Sequence, residues 1–179
     1  FAQRVRMATA VAVVLLAGPG LTSPTFAQCP YDWLPGEGIP GVDGAVYDMT
    51  SWDPDGAGPR SEVLVVGGRF AVAGDVVARR IACWDPATSA WSALGSGMEG
   101  GQPEPYVYAL TVLNGRLYAG GRFTTAGGVN VDNVACWDLA TSTWLPLGSG
   151  VDGAVCALTS LDGKLYVGGT FIVAGGVNA

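Results

Sequence analysis

Apolar residues in this chain fall in short runs of Val, Ala, Leu, Tyr and Trp, each closed by Gly, Asn, Asp or Pro. Beyond the first 27 residues no stretch carries the 3.6-residue periodicity of an amphipathic helix. Runs of about five residues separated by turn signals predict an all-β protein. The pattern is clearest between Tyr106 and Leu147. A strand is predicted over residues 107–112, followed by Asn114-Gly115, a two-residue hairpin signal because both positions must take positive φ. A second strand follows over 117–121, then a polar, Gly-rich loop over 124–133. A third strand over 134–138 and a fourth over 143–147 flank a turn at 139–142.

This four-strand pattern repeats. Gly95-Ser96-Gly97 returns as Gly148-Ser149-Gly150, Cys83-Trp84-Asp85 as Cys136-Trp137-Asp138, and Gly67-Gly68-Arg69-Phe70 as Gly120-Gly121-Arg122-Phe123, each 53 residues on. A third copy starts at Val151 and carries Leu165-Tyr166-Val167-Gly168-Gly169-Thr170-Phe171, with Asp162-Gly163 as its first hairpin turn. A fixed period of this size with Gly and Trp signatures points to stacked four-stranded units. Residues that recur in every copy are read as structural. Trp84 and Trp91, like Trp137 and Trp144, flank a tight turn six residues long, which places the two indoles opposite one another. Each pair is expected to bury its rings against the next unit. The doublets Gly67-Gly68, Gly120-Gly121 and Gly168-Gly169 are expected to permit close backbone approach and unusual φ.

A Gly doublet ending the second strand, an aromatic on the third, six residues and a Trp on the fourth resembles the kelch repeat. Gly67, Gly68, Trp84 and Trp91 match that pattern, as do Gly120, Gly121, Trp137 and Trp144, with Trp where kelch usually has Tyr. The Leu-Tyr-x-Gly-Gly-x-Phe form is also similar to tandem repeats of secreted bacterial proteins. The resemblance covers residues 42–179. It implies a partial kelch-like β-propeller built of four-stranded antiparallel blades, and it is specific for fold rather than function. The expected organisation is a first blade over residues 41–97, a second over 98–150 and a truncated third over 151–179. Trp33-Leu34-Pro35 echoes Trp144-Leu145-Pro146, so residues 28–40 are expected to supply the outer strand of a ring-closing blade. The chain thus reads as a piece of a longer array.

Arg4 and Arg6, the 11-residue apolar run Met7 to Ala17 and the ending Thr25-Phe26-Ala27 predict a secretory signal over residues 1–27, cleaved before Gln28. The run is too short to span a bilayer, and no other apolar stretch is long enough. The expected location is therefore secreted, periplasmic or cell-surface. A lipoprotein reading would acylate Cys29, against which Gln28 argues. Without Arg4 and Arg6, seven basic residues face 15 acidic ones, a net charge of 7 − 15 = −8. Nucleic acid is excluded as a partner on that balance. The chain has no histidine, which removes the commonest general base and metal ligand. Cys83 and Cys136 occupy the same slot of successive copies and are read as small buried residues. Cys156 stands where Tyr47 and Tyr108 stand, and is read as packing. Cys29 is the one cysteine with a plausible pairing role.

Two insertions break the repeat. The first hairpin loop, from Asp53 onward, is about eight residues longer than its counterpart, and residues 100–105 precede the first strand of the second copy. They are expected on opposite faces, where loops vary contacts. Asp53-x-Asp55-Gly56 resembles the start of a calcium loop but lacks the further oxygen ligands, and is read as a turn. Asp43, Glu99 and Asp152 recur where one copy enters the next. They are candidate binding-face residues, weighed against turn formation. Arg69 and Arg122 give way to Thr170 and are read as surface positions. Gly127-Gly128 and Gly175-Gly176 lack the Gly-Lys-Ser/Thr ending of a phosphate loop. No catalytic, cofactor-binding or metal residue is assigned. The function expected is a secreted binding or scaffolding module presenting loops to a protein or glycan partner, without catalysis in this portion. The alternative is part of a propeller enzyme, a galactose-oxidase-like copper oxidase or a carbohydrate-active hydrolase, with catalytic residues supplied elsewhere.

Overall fold

The computed structural model describes residues 41–56 and 58–179. The predicted signal sequence and its cleavage site, Cys29 and the proposed ring-closing strand over 28–40 lie outside the described residues. Within them the chain is all-β, with no helix. The first unit contains β1 (Ala45–Trp52), β2 (Val63–Arg69), β3 (Val72–Ala73), β4 (Val76–Val77), β5 (Ile81–Asp85) and β6 (Ala90–Ala93). The second contains β7 (Met98–Glu99), β8 (Tyr106–Leu113), β9 (Arg116–Arg122), β10 (Thr125–Ala126), β11 (Val129–Asn130), β12 (Val134–Asp138) and β13 (Thr143–Pro146). The third contains β14 (Val155–Leu161), β15 (Lys164–Gly169), β16 (Val173–Ala174) and β17 (Val177–Asn178).

Two units form complete antiparallel sheets of four strands, ordered β1-β2-β5-β6 and β8-β9-β12-β13, and the third contributes β14-β15. None of these sheets closes on itself. The predicted turns are present: Asn114 and Gly115 take φ of 51° and 74°, and Asp162 and Gly163 take 49° and 70°. One expectation fails in detail. The stretch 124–133 is not an open loop. It holds the two-residue ribbon β10-β11, and β7 pairs with β10. The equivalents are β3-β4, which Val42 bridges at Ala73, and β16-β17, which Val151 bridges at Ala174. Each unit thereby clasps its own entering segment.

The sheets pack face to face, with the first strands β1, β8 and β14 side by side. Leu110 N donates to Asp48 Oδ2 at 2.7 Å, linking β8 to β1. Ser160 Oγ donates to the Val112 carbonyl at 3.2 Å, linking β14 to β8. Strand alternation divides each sheet into two apolar faces. Val65, Ile81, Cys83 and Leu94 meet Val107, Leu110, Leu117, Trp137 and Trp144 in the core between the first and second units. Val134, Val151 and Val155 form the smaller core between the second and third.

The Trp pairs are in direct register, Trp84 opposite Trp91 and Trp137 opposite Trp144. The rings of Trp137 and Trp144 meet edge-on, 5.1 Å apart at 70°. The side they face corrects the expectation. Trp144 packs on the preceding unit, not the next: its Nε1 donates to the Leu94 carbonyl at 3.1 Å, and it is 1% exposed. The Gly doublets also have a simpler reason than expected, because none of their six residues has positive φ. A Cβ on Gly67 would lie 2.5 Å from Val107 Cγ1, and one on Gly120 would overlap Val155. Cβ atoms on Gly68, Gly121 and Gly169 would strike the carbonyl oxygens of Ala45, Tyr106 and Ala154, at or just before the start of their own first strands. The first glycine of the doublet makes room for the next unit, and the second for the neighbouring strand.

Candidate functional site

Each first strand carries an extra residue that breaks its register with the second strand. The shifts fall between Val46 and Asp48, Val107 and Ala109, and Val155 and Ala157, so the bulged residues are Tyr47, Tyr108 and Cys156. A β-bulge re-aims the side chain it carries and is favoured beside functional sites. Here it gathers tyrosines. Tyr47 stacks on Tyr108 with centroids 5.4 Å apart at 27°, and Tyr106 lies 6.1 Å from Tyr47 and 5.5 Å from Tyr108. Tyr47 is 45% exposed, and Tyr106 and Tyr108 are half-buried. Burial pushes the Tyr108 phenol up from its ordinary value, so it stays a hydrogen-bond donor at neutral pH. Cys156, expected to pack, is instead an exposed free thiol. Cys83 and Cys136 are buried and free, and burial pushes the Cys83 thiol up to about 12.

Residues 100–105 bring arginines to the same end of the first strands. Arg69 and Glu104 form a half-exposed ion pair, with Nε 2.9 Å from Oε2 and Nη2 3.3 Å from Oε1. The hydrogen bond to Glu104 raises the Arg69 pKa further. Arg79 Nη1 meets Glu99 Oε1 at 2.6 Å. Arg80 Nε donates to the Pro105 carbonyl at 3.2 Å, and Arg122 Nη1 to the Gln102 carbonyl at 2.9 Å. Four of the seven basic residues beyond position 40 thus surround one short segment of an acidic chain. Exposed ion pairs of this kind contribute little stability, because water and salt screen them. Their effect is to hold the segment that leads into Tyr106.

The acidic candidates are engaged locally. Asp43 Oδ1 accepts from Ala71 N at 2.8 Å and Val72 N at 2.9 Å. Asp152 Oδ1 accepts from Ile172 N and Val173 N, both at 2.9 Å. These bonds hold the Asp152 carboxyl below its usual range, that from Val173 counting most. Both aspartates therefore brace the entry to their unit's short ribbon. Glu99 alone lies at the arginine segment. Among the described residues, no three His, Cys, Asp or Glu side chains converge to hold a metal. Asp53 Oδ1 accepts from Asp55 N and Gly56 N, which is turn bonding. No helix of the described residues is long and apolar enough to cross a membrane.

The tyrosine and arginine face was not assembled from sequence. A signal was present: the slot shared by Tyr47, Tyr108 and Cys156 interrupts strict alternation in all three first strands. The insertion at 100–105 also stands directly before Tyr106. No family model matches this chain, and no curated protein matches it.

Proposed function

We propose that this chain belongs to a secreted, kelch-like β-propeller that acts as a binding module, and that its tyrosine and arginine face contacts a protein or glycan partner. The 53-residue repeat, the four-stranded antiparallel sheets and the side-by-side first strands support the propeller reading. The observation that carries the binding reading is the grouping of Tyr47, Tyr106 and Tyr108 on bulged and adjoining positions, half-exposed, beside Arg69 and Arg122. Tyrosine offers a large apolar area with a polar tip at low conformational cost, and Tyr and Arg are the residues enriched at recognition surfaces. A core role for these rings would leave them more deeply covered than they are.

The test is to probe arrays of glycans and of extracellular proteins with the labelled chain and with its Tyr47→Ala/Tyr108→Ala variant. Selective signals on one array, lost in the variant, are expected. Selective signals that survive in the variant would place the contact elsewhere. Absence of selective binding on both arrays would refute the module reading.

A further inference from the structure

We infer that the opposite end of the first strands holds a second binding site, a cleft between the first and second units that takes a neutral, polyhydroxylated ligand of sugar size. The repeat supplies its own control for this inference. What folding requires recurs in every unit, and the first unit departs from the pattern several times at one place. Its first hairpin runs from Asp53 to Glu62 where the others turn on Asn114-Gly115 and Asp162-Gly163. Trp52 stands where Leu113 and Leu161 stand, and Val63 pairs with it where Arg116 and Lys164 pair in the other units. Ser92 replaces Leu145. These substitutions converge on a cleft of about 550 Å³, within the range of about 300–1,000 Å³ usual for small-ligand sites.

The floor is apolar, with Trp52, Leu94 and Trp137 reaching it, and the rim is polar, with Arg60, Asp85 and Ser92. Trp52 Nε1 donates to the Gly115 carbonyl at 2.8 Å, which fixes the floor against the second unit. The hairpin arm is held as well, because Arg60 N donates to Asp55 Oδ2 at 3.1 Å. Asp85 Oδ1 accepts from Ala87 N at 2.8 Å, and that bond keeps the carboxyl below its usual range. It is therefore an ionised acceptor at neutral pH.

The chemistry narrows the ligand. One guanidinium and one carboxylate leave the rim without net charge, so a phosphorylated ligand finds no excess of positive charge. A purely apolar ligand would strip water from Asp85 and Arg60 and put nothing polar in its place, which is costly. A saccharide satisfies both halves, with C–H faces on the indole and aliphatic floor and hydroxyls that donate to Asp85 and accept from Arg60. This site does not depend on the tyrosine face.

The experiment is titration of the chain with glucose, galactose, N-acetylglucosamine, maltose and cellobiose, read by intrinsic Trp fluorescence and calorimetry, with glucose 6-phosphate in parallel. Saturable binding of at least one neutral sugar is expected. Its Kd should rise at least tenfold in Arg60→Ala and in Asp85→Ala, and change less than twofold in Tyr47→Ala/Tyr108→Ala. Arg60 is exposed, so its variant folds normally and decides the matter even if Asp85→Ala proves unstable. Three results would overturn the inference: no saturable binding by any neutral sugar, preference for glucose 6-phosphate, or a sugar affinity that follows the tyrosines and not Arg60.

Discussion

Trp144 is the side chain through which the second unit grips the first, and removing it should cost more than its own sheet can absorb. The indole is 1% exposed and sits edge-on to Trp137. Its Nε1 donates to the Leu94 carbonyl at 3.1 Å, and Gly127 packs against it so closely that a Cβ there would lie 3.1 Å from its Cδ1. Trp→Ala in a well-packed core costs about 3–5 kcal/mol from lost burial and the cavity left behind. Loss of the partner for a buried carbonyl accounts for about 1–3 kcal/mol in such sites, which places Trp144→Ala in the upper half of that range. Trp144→Phe keeps most of the apolar area and removes the donor, for about 1–2 kcal/mol. Trp91 occupies the same slot of the first unit but is only half-buried, so Trp91→Ala should cost about 1–2 kcal/mol. Urea melts followed by far-UV circular dichroism give these differences from the shift in midpoint at constant slope. The reasoning is refuted if Trp144→Ala falls within about 1 kcal/mol of wild type, or if Trp91→Ala costs as much as Trp144→Ala.

Gly120→Ala should destabilise by about 1–3 kcal/mol through overpacking against Val155. Gly168→Ala, whose nearest contact would be Ala157 Cβ at 3.8 Å, should stay within about 0.5 kcal/mol; equal effects in the same melts would contradict the spacing role of the doublet. Iodoacetamide at pH 8 should label Cys156 in the native chain and leave Cys83 and Cys136 unmodified until denaturant is added, as peptide mass spectrometry will show. The Cys83 thiol is raised from 9.0 to about 12 by burial. The unfolded thiol ionises first, so that stabilising contribution is complete below pH 9 and is lost as the pH climbs toward 12. Asp152, whose carboxyl is lowered by the Val173 and Ile172 amides, contributes stability at neutral pH that is lost as the pH falls through its lowered folded value. Asp152→Ala should therefore lower Tm at pH 7, and the gap from wild type should close toward acid. A gap constant with pH would show that the bonds are unimportant.

What could be read in advance was what strict local rules control. The strand at Val134–Asp138 was legible to the residue, because a run of four apolar positions ends in Asp at a turn. The facing Trp pairs were legible because six residues around a tight turn leave one register. Alternation shows that two side chains share a face, but not which neighbour covers that face. That is why Trp144 was expected on the following unit and lies on the preceding one. The ribbons β3-β4, β10-β11 and β16-β17 escaped because two-residue strands have no periodicity to detect. The tyrosine face depends on a bulge, which shifts parity by one and hides Tyr47 and Tyr108 among packing positions. The arginines around residues 100–105 come from two sources, the repeated Gly-Gly-Arg-Phe ends of β2 and β9 and the segment after β4, and only the folded chain brings them to one place.

The binding claim is tested most directly by the affinity for a partner recovered from the arrays, compared between wild type and Tyr47→Ala/Tyr108→Ala at matched folding. The bulged tyrosines touch one another and Tyr106 but lie outside the cores that join the units, so the variant should retain its circular dichroism and Tm. Its affinity is expected to fall at least tenfold, about 1.4 kcal/mol or more. An unchanged affinity in a normally folded variant would contradict the account, because the surface that these bulges assemble would then have no part in binding.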